Sequence, residues 1–500
     1  MPTLTTTSRG IVATAASAAV AAALVSGSET TPKTAAIVVV AAALGASMLW
    51  AGMARRRFFL ALLFLTAPFD ISKAVYPPLD HFFSPGLYVT VGEAVVVLLG
   101  LAWAAERLFV ERRGLPLTTL DALAFGFLAQ VWFGTLHAKG GMLAYASATS
   151  YSLCVLGFYV ASHAIRDKRD IRLMLSMVLV SFGFETLYVA AQMATHSFLV
   201  LPGAKVAPVG TQGLNFEAEQ ISAFRPIGSF DHPNALADYL TLLLPPALAF
   251  VLLSRRRLPS RLINIAAAVL TATVALLLLT LSRGGWAAGT VGIVFVGAIY
   301  WRKRLIGSGH LLALSATLLF LVVTAVAAFP QIVLRVTEPD SRSFESRIVL
   351  TDQALTIIRA NPLLGVGYGG YNRAALENIP PSFALISVDY QKQLLQLIVH
   401  DHYLLLAAEL GVPAMLYWIF LMLRFVAQAW PLSRWRDPAL FALGVGLAGS
   451  LASQMLFLSS DNYYTDIRVF LLWLTAGVLQ AVRRIAGAEE VPRTRQPAPP

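Results

Sequence analysis

Runs of about twenty apolar residues alternate with short polar segments along almost the whole chain. Each run is long enough to cross a hydrocarbon core of about 30 Å as a helix. Because backbone N–H and C=O groups in lipid must be paired within their own segment, the runs are predicted to be helical. The pattern thus predicts an all-α polytopic integral membrane protein with about fourteen spans. They lie near 11–27, 34–53, 58–69, 87–107, 119–136, 146–164, 172–193, 234–254, 262–281, 285–301, 311–329, 402–427, 438–459 and 466–484.

Basic residues fall mainly in alternate loops between these runs, at 55–57, 107–113, 166–172, 255–261, 302–304 and 424–436, and in the tail from 483. With Arg9, these segments hold about two thirds of the 38 Lys and Arg, and short loops rich in such residues stay cytoplasmic. Both termini are therefore expected to be cytoplasmic. The net charge of +11 is explained by this anchoring and predicts no nucleic-acid partner.

Composition agrees with the pattern, because 57% of the 500 residues are hydrophobic and only 13% are charged. Soluble domains carry about a quarter charged residues. The single cysteine, Cys154, excludes an intramolecular disulfide framework. The first run follows Arg9 and could be a signal peptide, but a second span follows at once, so a retained helix is expected.

Three segments on the other side are longer than a turn: 70–86, 194–233 and 330–401. The last is the largest, and apolar residues at 344, 348, 355 and 358 predict an amphipathic helix at the interface. Asn361-Pro362 should end this helix, because the residue before proline disfavours the helical conformation. Chemistry is therefore expected on this side, in one large loop.

Arginines in or beside apolar runs are candidates for anion binding. Arg283 lies in Leu-Thr-Leu-Ser-Arg-Gly-Gly-Trp, and a charge inside the membrane marks a functional position or snorkels to the surface. A guanidinium can bind phosphate through two parallel hydrogen bonds. Arg225 opens a second polar motif that contains Asp231, His232 and Asn234, where capping of the next helix is the alternative role. Arg347 could equally be an ordinary solvated charge, whereas Arg359 is expected to be one.

His400, Asp401 and His402 stand where the large loop meets the twelfth span. Histidine can accept and donate a proton near neutral pH, which favours a lone general base. A metal site is less favoured because three consecutive ligands do not converge easily and no fourth is apparent. A histidine satisfied by loop contacts is the structural alternative. The glycine-rich stretch at 365–370 resembles a phosphate loop, but a tight turn after a helix is the better interpretation.

Four segments together resemble the O-antigen ligase and O-antigen or exopolysaccharide polymerase superfamily of bacterial membrane glycosyltransferases. In order these are Arg-Pro…Pro-Asn at 225–234, Ser-Arg-Gly-Gly at 282–285, Asn-Pro-Leu-Leu-Gly-Val-Gly at 361–367, and His-x-x-Tyr-Leu…Glu-Leu-Gly as His400-Asp401-His402, then 403–411. The resemblance covers roughly residues 220–430. It divides the chain into a scaffold at 1–219, a catalytic region at 220–430 that contains the loop 330–401, C-terminal helices at 431–487 and a disordered cytoplasmic tail at 488–500.

The resemblance implies a GT-C-like enzyme of the cell inner membrane. Such an enzyme transfers glycan from undecaprenyl pyrophosphate to a hydroxyl of glycan, lipid A–core or another acceptor at the periplasmic face, without metal or cofactor. A chain-length regulator protein is a candidate partner, in addition to membrane lipid. The resemblance also implies a catalytic set of His400, Arg283 and Arg347. The expected substrate-binding residues are Arg225, His232, Asn234, Tyr368, Asp401 and His402.

Two questions stay open at the level of the sequence. Ligases of this superfamily usually carry Asn, Ser or Gln after the histidine, and Asp401 departs from that pattern, which slightly favours a polymerase. A flippase for lipid-linked oligosaccharide, or another polytopic transporter, is the alternative from a different class. Transporters tend to have paired halves with broken helices at mid-membrane, and no such pairing is apparent. A glycan-binding sensor or scaffold is a third interpretation.

Overall fold

The computed structural model describes residues 55–76, 87–199, 201, 216–218, 221–253, 257–307, 341–385, 397–430, 436–461 and 467–488, with single residues between 309 and 333 and between 391 and 395. Within these ranges the chain is mostly helical, and nine helices are long and apolar enough to cross a membrane. The spans expected at 11–27 and 34–53, and most of the one at 311–329, lie outside the described residues.

The described part of the chain also contains two small antiparallel strand pairs. The elements are α1 (Arg55–Thr66), β1 (Ser72–Tyr76), β2 (Leu87–Thr90), α2 (Val91–Ala105), α3 (Thr119–His137), α4 (Met142–Ala164), α5 (Lys168–Thr195), β3 (Phe216–Ala218), β4 (Ile221–Ala223), α6 (Pro233–Leu252), α7 (Ser260–Leu279), α8 (Arg283–Arg302), α9 (Ser341–Ala360), α10 (Tyr371–Glu377), α11 (His402–Leu410), α12 (Val412–Val426), α13 (Pro438–Phe457) and α14 (Ile467–Ala488). A π-helical turn, Glu106–Val110, follows α2, and 3-10 turns occupy Pro381–Leu385 and Ala427–Ala429.

Two helix groups form the centre of the bundle: α6 with α7, α8 and α13, and α4 with α14. Small residues allow the backbones to approach closely, as is common between helices in lipid. A Cβ added to Gly446 would lie 2.4 Å from the Cα of Pro246, and one added to Gly477 would lie 2.4 Å from the carbonyl oxygen of Phe158. Substitution of either glycine would therefore push a pair of central helices apart.

One predicted span is shorter in the structure than its apolar run suggested: the run at 87–107 begins with strand β2, so α2 has only 15 residues. The run at 58–69 forms α1, which has 12 residues, as the run itself has. The cause at α2 is a capping box: the Thr90 side chain accepts from the backbone N–H of Glu93, and the Glu93 carboxylate accepts from the backbone N–H of Thr90. Neither helix is among the nine candidate spans.

The run at 402–427 is two helices rather than one, because α11 ends at Gly411 and α12 begins at Val412. Gly411 has φ of +86°, a conformation that L side chains rarely adopt. The helix predicted from Phe344 is present as α9 and ends before Asn361-Pro362, as expected. Its buried face is rotated from the predicted one: Leu350 and Ile357 are buried, whereas Ile348 is 52% exposed.

Candidate functional site

The loop that carries Arg225 and His232 is held by polar side chains of α5. Gln192 accepts hydrogen bonds from the backbone N–H groups of Ile227 (3.2 Å) and Gly228 (2.9 Å), and its amide donates to the Gly228 carbonyl (2.9 Å). Glu185, also fully buried, accepts from the backbone N–H of Ser229 at 2.8 Å. Buried polar groups of this kind are costly unless paired, so the two side chains determine the conformation of the loop. Neither residue stands in one of the sequence motifs.

Arg225 and Asn234 are linked at the entrance of α6. The Arg225 side chain is 5% exposed, and it donates from Nε to the Thr280 carbonyl (2.8 Å) and from Nη2 to Asn234 Oδ1 (3.1 Å). The helix cap is His232, whose Nδ1 accepts from the backbone N–H of Asn234 at 3.0 Å. The capping role weighed for Asn234 therefore belongs to His232. Asn234 instead orients the arginine.

Arg283 is the first residue of α8. Ser282 caps this helix by accepting from the Gly285 N–H at 3.3 Å. A Cβ on Gly284 would lie 2.4 Å from Ser460 Oγ, so the Ser-Arg-Gly-Gly turn packs directly on the end of the α13 segment. The Arg283 side chain is exposed and has no acidic partner among the described residues. It lies at the same end of the bundle as Arg225, which binds Thr280 just before the turn.

His400 lies among charged groups from three other parts of the chain. Burial lowers the pKa of His400, the positive charges of Arg347 and Arg468 act in the same direction, and the carboxylate of Asp461 opposes them. Burial also lowers the pKa of His232 to about 3, and the charges acting on its ring include those of Arg225, Asp461 and His400. Both imidazoles are therefore neutral at pH 7. Nδ1 of His400 is buried and has no hydrogen-bond partner among the described residues.

An ion pair between Asp461 and Arg468 completes this set of charges. Arg468 Nη1 lies 3.1 Å from Asp461 Oδ2, and the two side chains are only 10–11% exposed. The pair joins the loop after α13 to the start of α14, beyond the region in which the sequence motifs were found. A signal was available: Arg468 begins an apolar run, as Arg283 does, and charges in such positions are rare without a function.

The neighbours of His400 have structural partners. Asp401 is the N-cap of α11, where its Oδ1 accepts from the backbone N–H of Leu404 at 3.0 Å, and burial raises the pKa of this carboxyl. His402 is 3% exposed and its ring contacts the edge of Trp418 with the centroids 5.2 Å apart. Its backbone N–H donates to the Leu458 carbonyl at 2.9 Å, which holds the start of α11 against the end of α13.

The glycine loop, residues 361–370, binds the C-terminal end of α11. The backbone N–H of Val366 donates to the Ala408 carbonyl (2.9 Å), and that of Gly367 donates to the Glu409 carbonyl (2.8 Å). These bonds satisfy two carbonyls that a helix end leaves without partners. The loop is therefore the tight turn after a helix that the sequence favoured. It follows α9, which carries Arg347, and its hydrogen bonds fasten it to α11, which follows His400.

Tyr368 of this loop is 3% exposed and packs in the main core, where its ring meets Tyr151 edge-on with the centroids 5.8 Å apart. No described contact joins it to His400. The structure thus brings together His400, His232, Arg225, Asn234 and Arg347, and it adds Asp461 and Arg468. Among the described residues, no group of three or more His, Cys, Asp or Glu is arranged to hold a metal ion.

A neutral histidine surrounded by fixed cations and one carboxylate suits acid–base chemistry on an anionic substrate. Residues 266–419 match the O-Antigen ligase family. The resemblance indicated by the motifs is thereby confirmed for a segment that contains Arg283, Arg347, the glycine loop and His400. A search of curated proteins found no match.

The O-antigen ligase match and the nine candidate spans have a joint consequence. They support a multi-pass membrane enzyme of glycosyl transfer that acts in polysaccharide or lipopolysaccharide synthesis. The matched segment is less than a third of the chain. Arg225, Asp461 and Arg468 lie outside it.

Proposed function

We propose that the protein transfers or polymerises glycan carried on undecaprenyl pyrophosphate, with His400 as general base and arginines that bind the pyrophosphate. The observation that carries the proposal is the neutral, partly buried His400 ring among the charges of Arg347, Arg468 and Asp461. A base must be unprotonated before it can act, and the lowered pKa keeps this imidazole unprotonated at neutral pH.

The proposed step is a displacement at the anomeric carbon of the donor. The acceptor hydroxyl attacks this carbon while its proton passes to His400, and the bond from the carbon to the phosphate oxygen breaks. The electron pair leaves with undecaprenyl pyrophosphate. In the neutral imidazole one ring nitrogen carries no proton, and this nitrogen is the proposed proton acceptor.

The three arginines differ in whether their side chains are available to bind the leaving group. Arg225 already donates to Thr280 and Asn234, so its proposed role is to shape the site. Arg283 and Arg347 are exposed and have no acidic partner among the described residues, so both can bind a pyrophosphate. Fixed cations that face a growing negative charge lower the barrier most where water is excluded. We assign the metal-free leaving-group stabilisation that the resemblance implies to these two side chains.

The side of the membrane and the acceptor are further parts of the proposal. The alternation of basic loops supports a periplasmic site with cytoplasmic termini in the inner membrane. Asp401 does not decide between ligase and polymerase, because it serves as an N-cap and Asn or Ser would cap α11 equally well. The proposed acceptor is accordingly a hydroxyl of glycan, of lipid A–core or of another molecule.

Deletion of the gene tests this function against that of a flippase. A transferase mutant should accumulate lipid-linked glycan in the periplasmic leaflet, because the donor is translocated but not consumed. Labelling intact cells with a membrane-impermeant glycan-binding reagent, before and after permeabilisation, measures the leaflet. Accumulation confined to the cytoplasmic leaflet would instead identify a flippase and refute the proposal.

A further inference from the structure

A cationic pocket lies at the N-terminal end of α5. It has a volume of about 430 Å³, and its polar lining consists of Arg166, Asp167, Lys168, Arg169, Arg172 and Arg484. Five of these six side chains are basic, so the pocket offers a strong positive potential. At this helix start, Asp167 Oδ1 already accepts hydrogen bonds from the backbone N–H groups of Arg169 (2.8 Å) and Asp170 (2.9 Å). The attraction for an anion therefore comes from the side chains.

Only part of this positive charge is neutralised by acidic residues. Lys168 is paired with Asp437 at 2.6 Å, and Asp167 is paired with Arg57 at 3.0 Å. Arg169 and Arg172 are exposed, and neither has an acidic partner among the described residues. The pocket therefore retains cationic groups that can bind an anion.

The partly buried Arg166 and the exposed Arg484 add two further guanidinium groups to the lining. Arg166 binds Glu111 (2.6 Å) and Glu106 (3.2 Å) through Nη1, whereas its Nη2 is buried with no hydrogen-bond partner among the described residues. Arg484 donates to the carbonyls of Ser162 and Ile165. Carbonyls leave the net charge of a guanidinium unchanged, so Arg484 also contributes positive charge to the pocket.

The pocket lies at the opposite membrane surface from the candidate site. α5 begins at Lys168 in the pocket, and near its other end Gln192 holds the loop of Arg225. A helix of 28 residues is about 42 Å long, which exceeds the thickness of the hydrocarbon core. A ligand of this pocket is therefore distinct from a substrate at His400.

Two apolar side chains close to the pocket in the structure of the chain are strongly exposed, Phe109 (80%) and Val110 (77%). They directly precede Glu111, which binds Arg166 of the pocket lining. Exposed apolar groups beside a cationic recess suit a ligand with a charged head and hydrocarbon chains. Free phosphate would use the recess alone and leave this surface without a role.

We propose that this pocket binds the phosphate headgroup of an anionic phospholipid, whose acyl chains lie along the Phe109–Val110 surface. Arg169 and Arg172 supply the paired donors that fit a phosphodiester. The ligand joins α5 to α14, because Arg484 belongs to α14. It would thereby tie together two helices that also contribute to the opposite end of the bundle.

Native mass spectrometry of the full-length protein, freed of lipid and titrated with dioleoyl phosphatidylglycerol or dioleoyl phosphatidylcholine, tests the proposal. The wild type should bind one phosphatidylglycerol at least about tenfold more tightly than phosphatidylcholine, since each nearby basic residue strengthens binding of anionic lipid. The variant R169A/R172A should lose about tenfold in phosphatidylglycerol affinity. The control R302A/K303A removes two exposed charges at the C-terminal end of α8, outside the pocket lining, and should bind as the wild type does.

Three results would overturn the proposal. Equal binding of the two lipids would show that no headgroup site exists. An equal loss in R169A/R172A and R302A/K303A would show only a general attraction of the basic surface. Displacement of phosphatidylglycerol by equimolar inorganic phosphate would assign the pocket to free anions. Melting temperatures of both variants without lipid, expected to equal that of the wild type, separate lost binding from misfolding.

Discussion

At Gly365 a single added methyl group should separate the glycine loop from the end of α11. The φ of Gly365 is +66°, and an added Cβ would lie 2.3 Å from the carbonyl carbon and 2.4 Å from the carbonyl oxygen of Glu409. Backbone atoms cannot yield to such a contact as a flexible side chain can. Gly365→Ala should therefore force the glycine loop away from the end of α11.

The cost of Gly365→Ala follows from two terms. The positive φ costs an alanine about 1–2 kcal/mol. The displaced loop weakens two backbone hydrogen bonds, Val366 to Ala408 and Gly367 to Glu409, which contribute about 1 kcal/mol each. A total of about 3–4 kcal/mol is a large part of a typical net stability of 5–15 kcal/mol. We expect the melting temperature in detergent to fall by roughly 5 °C.

The matched control is Gly297→Ala in α8, where an added Cβ meets no atom within 4 Å. Alanine is favoured over glycine inside a helix by about 1 kcal/mol, so this variant should melt at or slightly above the wild-type temperature. The assay is thermal unfolding of both purified variants, followed by tryptophan fluorescence. Equal melting temperatures for Gly365→Ala and Gly297→Ala would refute the proposed contact between loop and helix.

Three further predictions concern the site. Arg283→Lys should lose most of the transfer activity in a complementation assay, because lysine keeps the charge but not the planar pair of donors, and wild-type complementation would make Arg283 an anchor only. The acid limb of the pH–rate profile should lie below pH 6.5, because the pKa of His400 is lowered. Asp461→Asn should move this limb to still lower pH, because the Asp461 carboxylate raises the pKa of His400. A limb that does not move would contradict the influence of Asp461. Gln192→Ala removes hydrogen bonds to Ile227 and Gly228 and should destabilise the protein by about 2–3 kcal/mol in the same melting assay. A wild-type melting temperature for this variant would contradict the role of Gln192 in holding the loop.

The apolar pattern was sufficient for most helices, because burial in lipid requires long uninterrupted segments. It failed where local backbone chemistry intervenes. The span expected at 402–427 is broken at Gly411, where φ is positive and an added Cβ would lie 2.1 Å from the Leu363 carbonyl oxygen. Periodicity cannot reveal this break, since the residue responsible for the contact is almost fifty positions earlier in the chain.

Several features of the candidate site followed from local motifs, whereas others depend on distant contacts. His400, Arg225 and His232 were recognisable because each stands in a polar motif beside an apolar run. Asp461 lies just after α13 and Arg468 at the start of α14, neither of them in a motif, and only the packing of these two helices brings their charges to His400. Asp401 is the opposite case: it stands out in the sequence because it departs from the family pattern, but in the structure it serves as a helix cap.

The central claim is that His400 accepts the proton of the acceptor hydroxyl. The most direct measurement is the rate of undecaprenyl pyrophosphate release by purified protein supplied with a lipid-linked glycan donor and an acceptor. The account predicts that His400→Ala lowers this rate by about 10²-fold or more, with expression and melting temperature unchanged. Release by His400→Ala at the wild-type rate would contradict the assignment of the base.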